Sequence, residues 1–427
     1  MHFLIINDLV DVKNKKITHY SLDKGLNLGF GFVNNGCNVD YIVSTNSYTE
    51  TNINFVDFNE LTEEKINSYD YVIIIREGII EELFNQFAEL KKFFFNPNKK
   101  AKIIVKSDSC NWILDKTFRK YINVELSING SIPSVVKWIN KNIDVICVQN
   151  IEFFELGLAN GINKERMLIS NMAIPNLSID YDKLENPYLP DYSYCKDKRS
   201  LNSGDSLLPL FYVDNPDKLD ELKNKKRIKL FYMGRIKTDS GRIIYLMKDI
   251  IEQLGDNYEL HIFPGSFLLY NLETHQIQKC SANNSNHLEL LRNTVFPDNK
   301  NVFIHCPFDH KDIQKYLWHA DIGIDFSSSR PNNVKANAGN AKLLEYCYMG
   351  LPIVTEKNVN NSYLVTNCSN GIILDGIGTT QDYVQSILKL TNKLKIDRKN
   401  ASRITIQNEN WNLRAKEFIV GLETKFK

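Results

Sequence analysis

The sequence predicts an α/β protein of two parallel-sheet domains, and three observations predict it. Short apolar runs alternate with helix-like patterns in both halves of the chain, the signature of parallel strands joined by covering helices. At 427 residues the chain is too long for a single hydrophobic core. Between the halves, residues 177–226 are rich in Asp, Asn, Pro, Tyr, Ser and Lys without a sustained period, which reads as a linker or an insertion. The expected organisation is a first domain over 1–176, that linker, a second domain over 227–400 and a tail helix over 401–427.

In the first domain the apolar runs place strands over 3–6, 39–43, 71–75, 101–105 and 144–148. The stretch 20–36 lies between the first two. Its Gly29 and Gly31 are too few for a dinucleotide fingerprint and suit close helix-to-sheet packing instead. In the second domain, 227–235 is a strand delivered into Gly234 and Arg235. Further strands follow over 258–263, stopped by Pro264 and Gly265, then over 301–305 and 320–326, from 353, and over 371–374. Helices are expected over 311–319 and 382–394.

Composition excludes several classes. A formal net charge of +1 and a pI of about 7.5 give no support for a strongly basic nucleic-acid or anionic-membrane binder, and the run 223–227 reads as a solvated linker. The N-terminus reads as a strand rather than a signal peptide, and nothing approaches the ~18–20 apolar residues of a membrane span, so a cytoplasmic protein, at most peripheral at a membrane, is expected. The eight cysteines are scattered without metal-ligand spacing, which reads as reduced thiols and no structural zinc.

The most informative stretch runs from Asn337 to Glu356. Asn340 is placed to cap a short helix, Gly350 to end it in the left-handed region, and Pro352 to forbid its continuation. Free backbone N–H groups at its start can hold an anion, and Glu345, one turn on, can accept hydrogen bonds from vicinal hydroxyls such as those of a ribose. Read alone, the segment is also an ordinary amphipathic helix burying Leu343, Leu344 and Cys347.

These residues resemble the donor-binding segment of GT-B glycosyltransferases, in particular the large retaining family marked by two glutamates eight positions apart. Glu345 matches the second glutamate, and Gly350, Leu351, Pro352, Ile353 and Val354 match the ending that follows it. The first glutamate is replaced by Asn337. The pattern Asn340, Lys342, Glu345, Tyr346 is also similar to polysaccharide-type members, in which Lys342 would add a cation to the donor diphosphate. Upstream, Gly234 and Arg235 match a Gly-Arg-x4-Lys-Gly motif whose glycine is kept as Gly241 and whose lysine is Ser240 here; Lys237 or Arg242 can substitute.

The resemblance implies two Rossmann-like domains facing a cleft, with the C-terminal helix crossing back onto the first domain. It implies donor contacts from Gly234, Arg235, Lys237, Arg242, Gly339, Asn340, Lys342, Leu344 and Glu345. The expected co-substrate is a nucleotide sugar, UDP-linked, with no metal, and transfer goes with retention to a glycan, glycolipid, protein or modified-DNA hydroxyl. Asn337 would stand near the sugar, and Arg235 would stabilise the leaving diphosphate. Beyond the first-domain strands, Asn7, Asp8, Arg76 and Glu77 occupy strand ends where ligands bind in open α/β sheets. After the fourth strand, Asp108 is either a helix cap or an acceptor-side residue. As a general base it would give the inverting chemistry of phage DNA-base glucosyltransferases, which the resemblance also admits. A nucleotide-sugar epimerase and a noncatalytic nucleotide-sugar-binding protein are the competing classes.

Overall fold

The structure is a computed structural model of the full chain. It describes residues 1–7, 24–43, 53–75, 80–107, 110, 113, 131–174, 179–181, 184, 227–236, 242–270, 277–281, 284–305, 313–326, 341–358, 362–393 and 396–427. The described chain forms two compact units, one holding the residues up to 174 together with 408–427, the other those between 179 and 407.

The first unit is a seven-stranded parallel sheet of β1 (His2–Ile6), β2 (Asn38–Val43), β3 (Asn54–Asp57), β4 (Tyr71–Ile75), β5 (Lys102–Lys106), β6 (Val145–Val148) and β7 (Met167–Ile169). Their spatial order is β3-β2-β1-β4-β5-β6-β7, so the winding reverses between β1 and β4. The inner strands are mostly apolar because both faces are covered, with Asp40 of β2 and Lys106 of β5 as buried polar exceptions. Leu4, Ile6, Val72, Ile74, Ile103 and Val105 face one core, together with residues of helices Glu63–Asn67, Ile80–Gln86, Ala88–Phe95, Ile132–Asn142 and Ile151–Ala159. Phe3, Ile5, Ile73 and Ile104 face the other, under helices Lys24–Asn34 and Trp411–Phe426.

The tail helix joins the first unit by a specific route. Helix Arg398–Asn408 belongs to the second unit, and the chain then leaves helical geometry to pair with the first. The Ile174 N–H donates to the Glu409 carbonyl at 2.8 Å, and the Trp411 N–H donates to the Ile174 carbonyl at 3.2 Å. Asn410 then caps helix Trp411–Phe426 by accepting from the Leu413 N–H. Trp411, Ala415, Phe418 and Leu422 follow one another at helical spacing and form its buried stripe. Gly31 lets the two helices meet, since a Cβ there would lie 2.5 Å from the Trp411 carbonyl oxygen. The expectation of close helix-to-sheet packing holds at Gly29, beside Ile5, Val39 and Ile53, whereas Gly31 serves a helix-to-helix contact.

The second unit repeats the design. Its strands are β8 (Ile228–Ile236), β9 (Tyr258–Tyr270), β10 (Ile277–Ser281), β11 (Val302–Ile304), β12 (Ile322–Asp325), β13 (Ile353–Glu356) and β14 (Gly371–Leu374). The main path runs β10-β9-β8-β12-β13-β14, and β11 also pairs with β9. The parallel members alone read β11-β9-β8-β12-β13-β14, which in chain order is 3-2-1-4-5-6, the doubly wound arrangement. One difference from the sequence reading is β9, which does not stop at Pro264 and Gly265. It runs on to Tyr270 because its second half pairs antiparallel with β10, Ser266 opposite Ser281 and Tyr270 opposite Ile277. Pro264 falls in the gap between the β11 pairing, which ends at Ile262, and the β10 pairing. The turn signal was overridden by a hairpin that buries Phe267, Leu269 and Cys280.

This unit also buries histidines. His261 Nδ1 lies 2.9 Å from His305 Nε2, and His261 Nε2 lies 3.4 Å from the Glu259 carboxylate. Burial pushes His305 well below the ordinary histidine range, with His261 adding to the effect, and it lowers His261 despite the opposing pull of Glu259. His319 is pushed down to about 4 by burial and by the nearby charges of Lys229 and Arg398. The unfolded chain accepts these protons near pH 6.5, while the fold refuses them until lower pH. Stability present above pH 6.5 is therefore lost as the pH falls toward 4, by up to ~3 kcal/mol for His319 alone. Urea midpoints at pH 7, 5.5 and 4.5 should fall in that order, and a constant midpoint would mean that the fold accepts the protons.

Candidate functional site at the carboxyl end of the second sheet

Open α/β sheets bind ligands beyond the carboxyl ends of their strands, at the point where the winding reverses. In the second sheet that point lies between β8 and β12, and three separate elements converge there. Strand β8 ends through Gly234, whose φ of +108° suits a residue without a side chain, followed by Arg235. Strand β12 ends on Asp325, fully buried. Helix Ala341–Tyr348 supplies Lys342, whose Nζ lies 3.1 Å from Asp325 Oδ1 and 4.1 Å from the centre of the Tyr232 ring. A Cβ on Gly234 would stand 3.6 Å from Lys342 Cε, so the ammonium stem runs directly alongside the turn.

A second layer fixes Asp325. Its other carboxylate oxygen accepts from Thr355 Oγ1 at 2.8 Å, and its backbone carbonyl accepts from the Tyr383 hydroxyl at 2.7 Å. Burial alone would pull Lys342 down, but the Tyr232 and Asp325 side chains outweigh it and hold the ammonium above its ordinary range. Lys342 is thus a charged group in apolar surroundings, stabilised by a carboxylate on one side and an aromatic face on another.

The helix that carries Lys342 is held at both flanks. Tyr346, fully buried, accepts from the Met233 N–H at 3.3 Å and donates to the Phe231 carbonyl at 3.4 Å, so the helix is fastened to β8. Its C-terminus closes with two bonds, the Gly350 N–H to the Cys347 carbonyl at 2.9 Å and the Leu351 N–H to the Tyr346 carbonyl at 2.9 Å. With Gly350 at φ +60°, this is the Schellman closure expected of that glycine. Tyr346 and Leu351 both press on Gly323 of β12, where a Cβ would lie 2.7 Å and 2.9 Å from them.

The sequence-predicted residues fall into three groups. Gly234, Lys342, Leu344 and Glu345 are described: the first two meet at the switch point, Leu344 is buried, and Glu345 is half-buried on the same helix one turn after Lys342. Arg235 and Arg242 have described backbones, at the end of β8 and at the start of helix Arg242–Leu254. Asp108, Lys237, Asn337, Gly339 and Asn340 lie outside the described residues, as do Asp8, Arg76 and Glu77. In the first unit, Asn7 donates to the Tyr41 hydroxyl at 2.9 Å, and buried Lys106, two residues before Asp108, reaches the Ser170 carbonyl at 3.4 Å. Sequence reasoning missed Tyr232, Asp325, Thr355 and Tyr383. The available signal was Asp325 itself, a charge closing the apolar run of β12.

Among the described residues no group of three or more His, Cys, Asp or Glu side chains could hold a metal ion. The six described cysteines are buried and none is in a disulfide. Among the described residues, no helix is long and apolar enough to cross a membrane.

Comparison with known proteins identifies the fold. No protein-family profile matches the sequence, and no curated protein matches it. Solved structures do. A glycosyltransferase from Rickettsia africae ESF-5 superposes with a TM-score of 0.55 at 13% identity, covering 100% of this chain and 98% of that one. Sucrose-phosphate synthase from Thermosynechococcus elongatus gives 0.58 at 11% identity, covering 100% and 99%. Anabaena HepE in complex with UDP gives 0.56 at 11% identity, covering 99% and 100%. The chain has the fold of GT-B glycosyltransferases: two Rossmann-like units with a C-terminal helix that returns to the first.

Proposed function

We propose that the protein is a glycosyltransferase that moves a sugar from a UDP-linked donor to a hydroxyl acceptor on a glycan, a glycolipid, a protein or modified DNA. The observation that carries the reading is the convergence of Gly234, Lys342 and the start of helix Ala341–Tyr348 at the switch point of the second sheet. A glycine turn, a held ammonium and a helix N-terminus together suit a diphosphate, and Glu345 one turn on suits a ribose diol. The UDP complex of Anabaena HepE, on the same fold, supports the choice of nucleotide.

In the proposed mechanism Arg235, Lys342 and the N-terminal N–H groups of the helix meet the charge that grows on the departing nucleoside diphosphate, so that protein cations take the part a metal ion plays elsewhere. Lys237 or Arg242 fills the place of the motif lysine. Gly339, Asn340 and Leu344 complete the donor pocket, and Asn337 takes the position next to the transferred sugar. Transfer proceeds with retention. Asp108, two residues past β5 in the sequence, contacts the acceptor.

Calorimetric titration with UDP, GDP, ADP, CMP and dTDP tests the reading. UDP is expected to bind in the micromolar range, and Glu345→Gln is expected to weaken it about tenfold or more, the loss of a charge-assisted bond to ribose. Absence of binding by every nucleotide would remove the donor site, and an unchanged affinity in the variant would remove Glu345 from it.

A further inference from the structure

We propose that Ser402 and Thr405 are positioning residues of the donor site: from helix Arg398–Asn408 they hold the carboxyl end of helix Ala341–Tyr348, and so set the axis along which its amino end meets the nucleotide. This rests on the glycosyltransferase reading above and adds to it the part of the fold that aims the helix.

The last carbonyls of a helix have no partner inside it and find one outside. Here two fully buried hydroxyls from another helix serve. Ser402 Oγ donates to the Tyr348 carbonyl, and Thr405 Oγ1 lies 3.0 Å from the Cys347 carbonyl. Each hydroxyl is oriented in turn. The Tyr181 hydroxyl donates to Ser402 Oγ at 2.9 Å, since the single Ser402 proton is committed to Tyr348. Cys368 Sγ, 3.0 Å from Thr405 Oγ1, can donate in the same way. Bonds that run in one direction along such a chain strengthen one another. Thr405 also lies 3.0 Å from the Ala401 carbonyl of its own helix, so its proton is shared between two acceptors, and Ser402 makes the firmer hold.

The helix that carries these hydroxyls is itself anchored. Arg398 donates to the carbonyls of Leu317, Trp318 and Ala320 and lies over the Trp318 ring, whose other neighbour is the Tyr181 ring at 5.1 Å. Gln314, on helix Ile313–His319, donates to the Tyr348 hydroxyl at 2.9 Å. Tyr346 fastens helix Ala341–Tyr348 to β8, and the two hydroxyls fasten its end. Two fastenings define an axis, whereas one is a pivot. Lys342 stands about 6 Å along the axis from Tyr346 and Tyr348 only about 3 Å, so a small shift at the carboxyl end is roughly doubled at the amino end.

The test is UDP affinity by calorimetry, with urea midpoints measured in parallel. Ser402→Ala should weaken UDP binding about fivefold or more and Thr405→Val about threefold, while Thr405→Ser, which keeps the hydroxyl, should stay within about twofold of wild type. Val295→Ala is the control for a purely structural effect. It opens the core on helix Ser285–Val295 and lowers the urea midpoint without touching these hydroxyls, and it should leave UDP affinity within about twofold. Wild-type affinity in folded Ser402→Ala and Thr405→Val, or an equal loss in Val295→Ala, would overturn the positioning role alone. If neither hydroxyl variant folds, amide hydrogen exchange of the wild-type protein decides: by reciprocity UDP should slow exchange in helix Arg398–Asn408, and unchanged exchange would overturn the role. A wild-type protein that binds no UDP would overturn the donor-site reading and the proposal together.

Discussion

Gly350→Ala should be among the most damaging single-methyl changes in this protein, lowering the stability of the second unit by more than about 4 kcal/mol. Two costs combine. At φ +60° any L side chain brings its Cβ against the neighbouring carbonyl, worth roughly 1–2 kcal/mol. The added Cβ would also lie 1.9 Å from the Arg398 carbonyl oxygen, 2.7 Å from its carbon and 2.9 Å from its Cα. Those are backbone atoms, and they are anchored. The Arg398 guanidinium donates to the carbonyls of Leu317, Trp318 and Ala320 at 2.8 to 3.0 Å and lies over the Trp318 ring, so helix Arg398–Asn408 cannot yield without breaking those bonds. Gly376→Ala is the control, since that glycine has φ +93° with nothing within 4 Å of its would-be Cβ, so it should cost only the backbone strain, about 1–2 kcal/mol. Urea midpoints of the two variants decide. Equal midpoints would show that the Arg398 backbone moves freely.

That glycine was legible in the sequence for the same reason it is fragile. A helix of apolar spacing, a glycine and then Leu351 and Pro352 encode the Schellman closure within six residues, and local chemistry is what a sequence displays. Strands β1, β2, β4, β5 and β6 were visible as runs dominated by apolar residues, because strands covered on both faces are largely apolar. Strand β3 was not, since among its four residues only Val56 is fully buried, and β7 has only three residues. Strand β10, with the pattern Ile277, Gln278, Lys279, Cys280, Ser281, exists through its pairing with β9 and through the burial of Cys280. In the candidate site the residues carried by motifs were readable one at a time. The frame that joins them was not, because Lys342, Asp325 and Thr355 sit on three elements and meet only once β12 lies between β8 and β13. Periodicity gives the faces of each element, whereas the order of strands in the sheet decides which strand ends become neighbours.

Arg235→Ala should lower turnover of a UDP-sugar by about 10²–10³, with little change in folding stability. The argument is one of charge accounting at the switch point. Lys342 contributes one positive charge, part of which Asp325, 3.1 Å away, offsets. Lys342 can therefore supply only part of the charge that a leaving diphosphate needs. Glu345, if it holds the ribose, makes the local balance negative. A nucleoside diphosphate leaving from a sugar gains about one unit of charge in the transition state, and a second cation beside Lys342 would share in opposing it. Arg235 follows Gly234 at the end of β8, the strand next to β12, and its guanidinium offers a bidentate fork suited to phosphate oxygens. Because this charge matters most when the leaving group separates, the loss should fall mainly on kcat, with UDP affinity reduced less than turnover. Arg235→Lys should recover only part of the activity, since a point charge lacks the fork. An Arg235→Ala protein that turns over at the wild-type rate would place the opposing charge elsewhere, with Lys237 and Arg242 the next residues to replace.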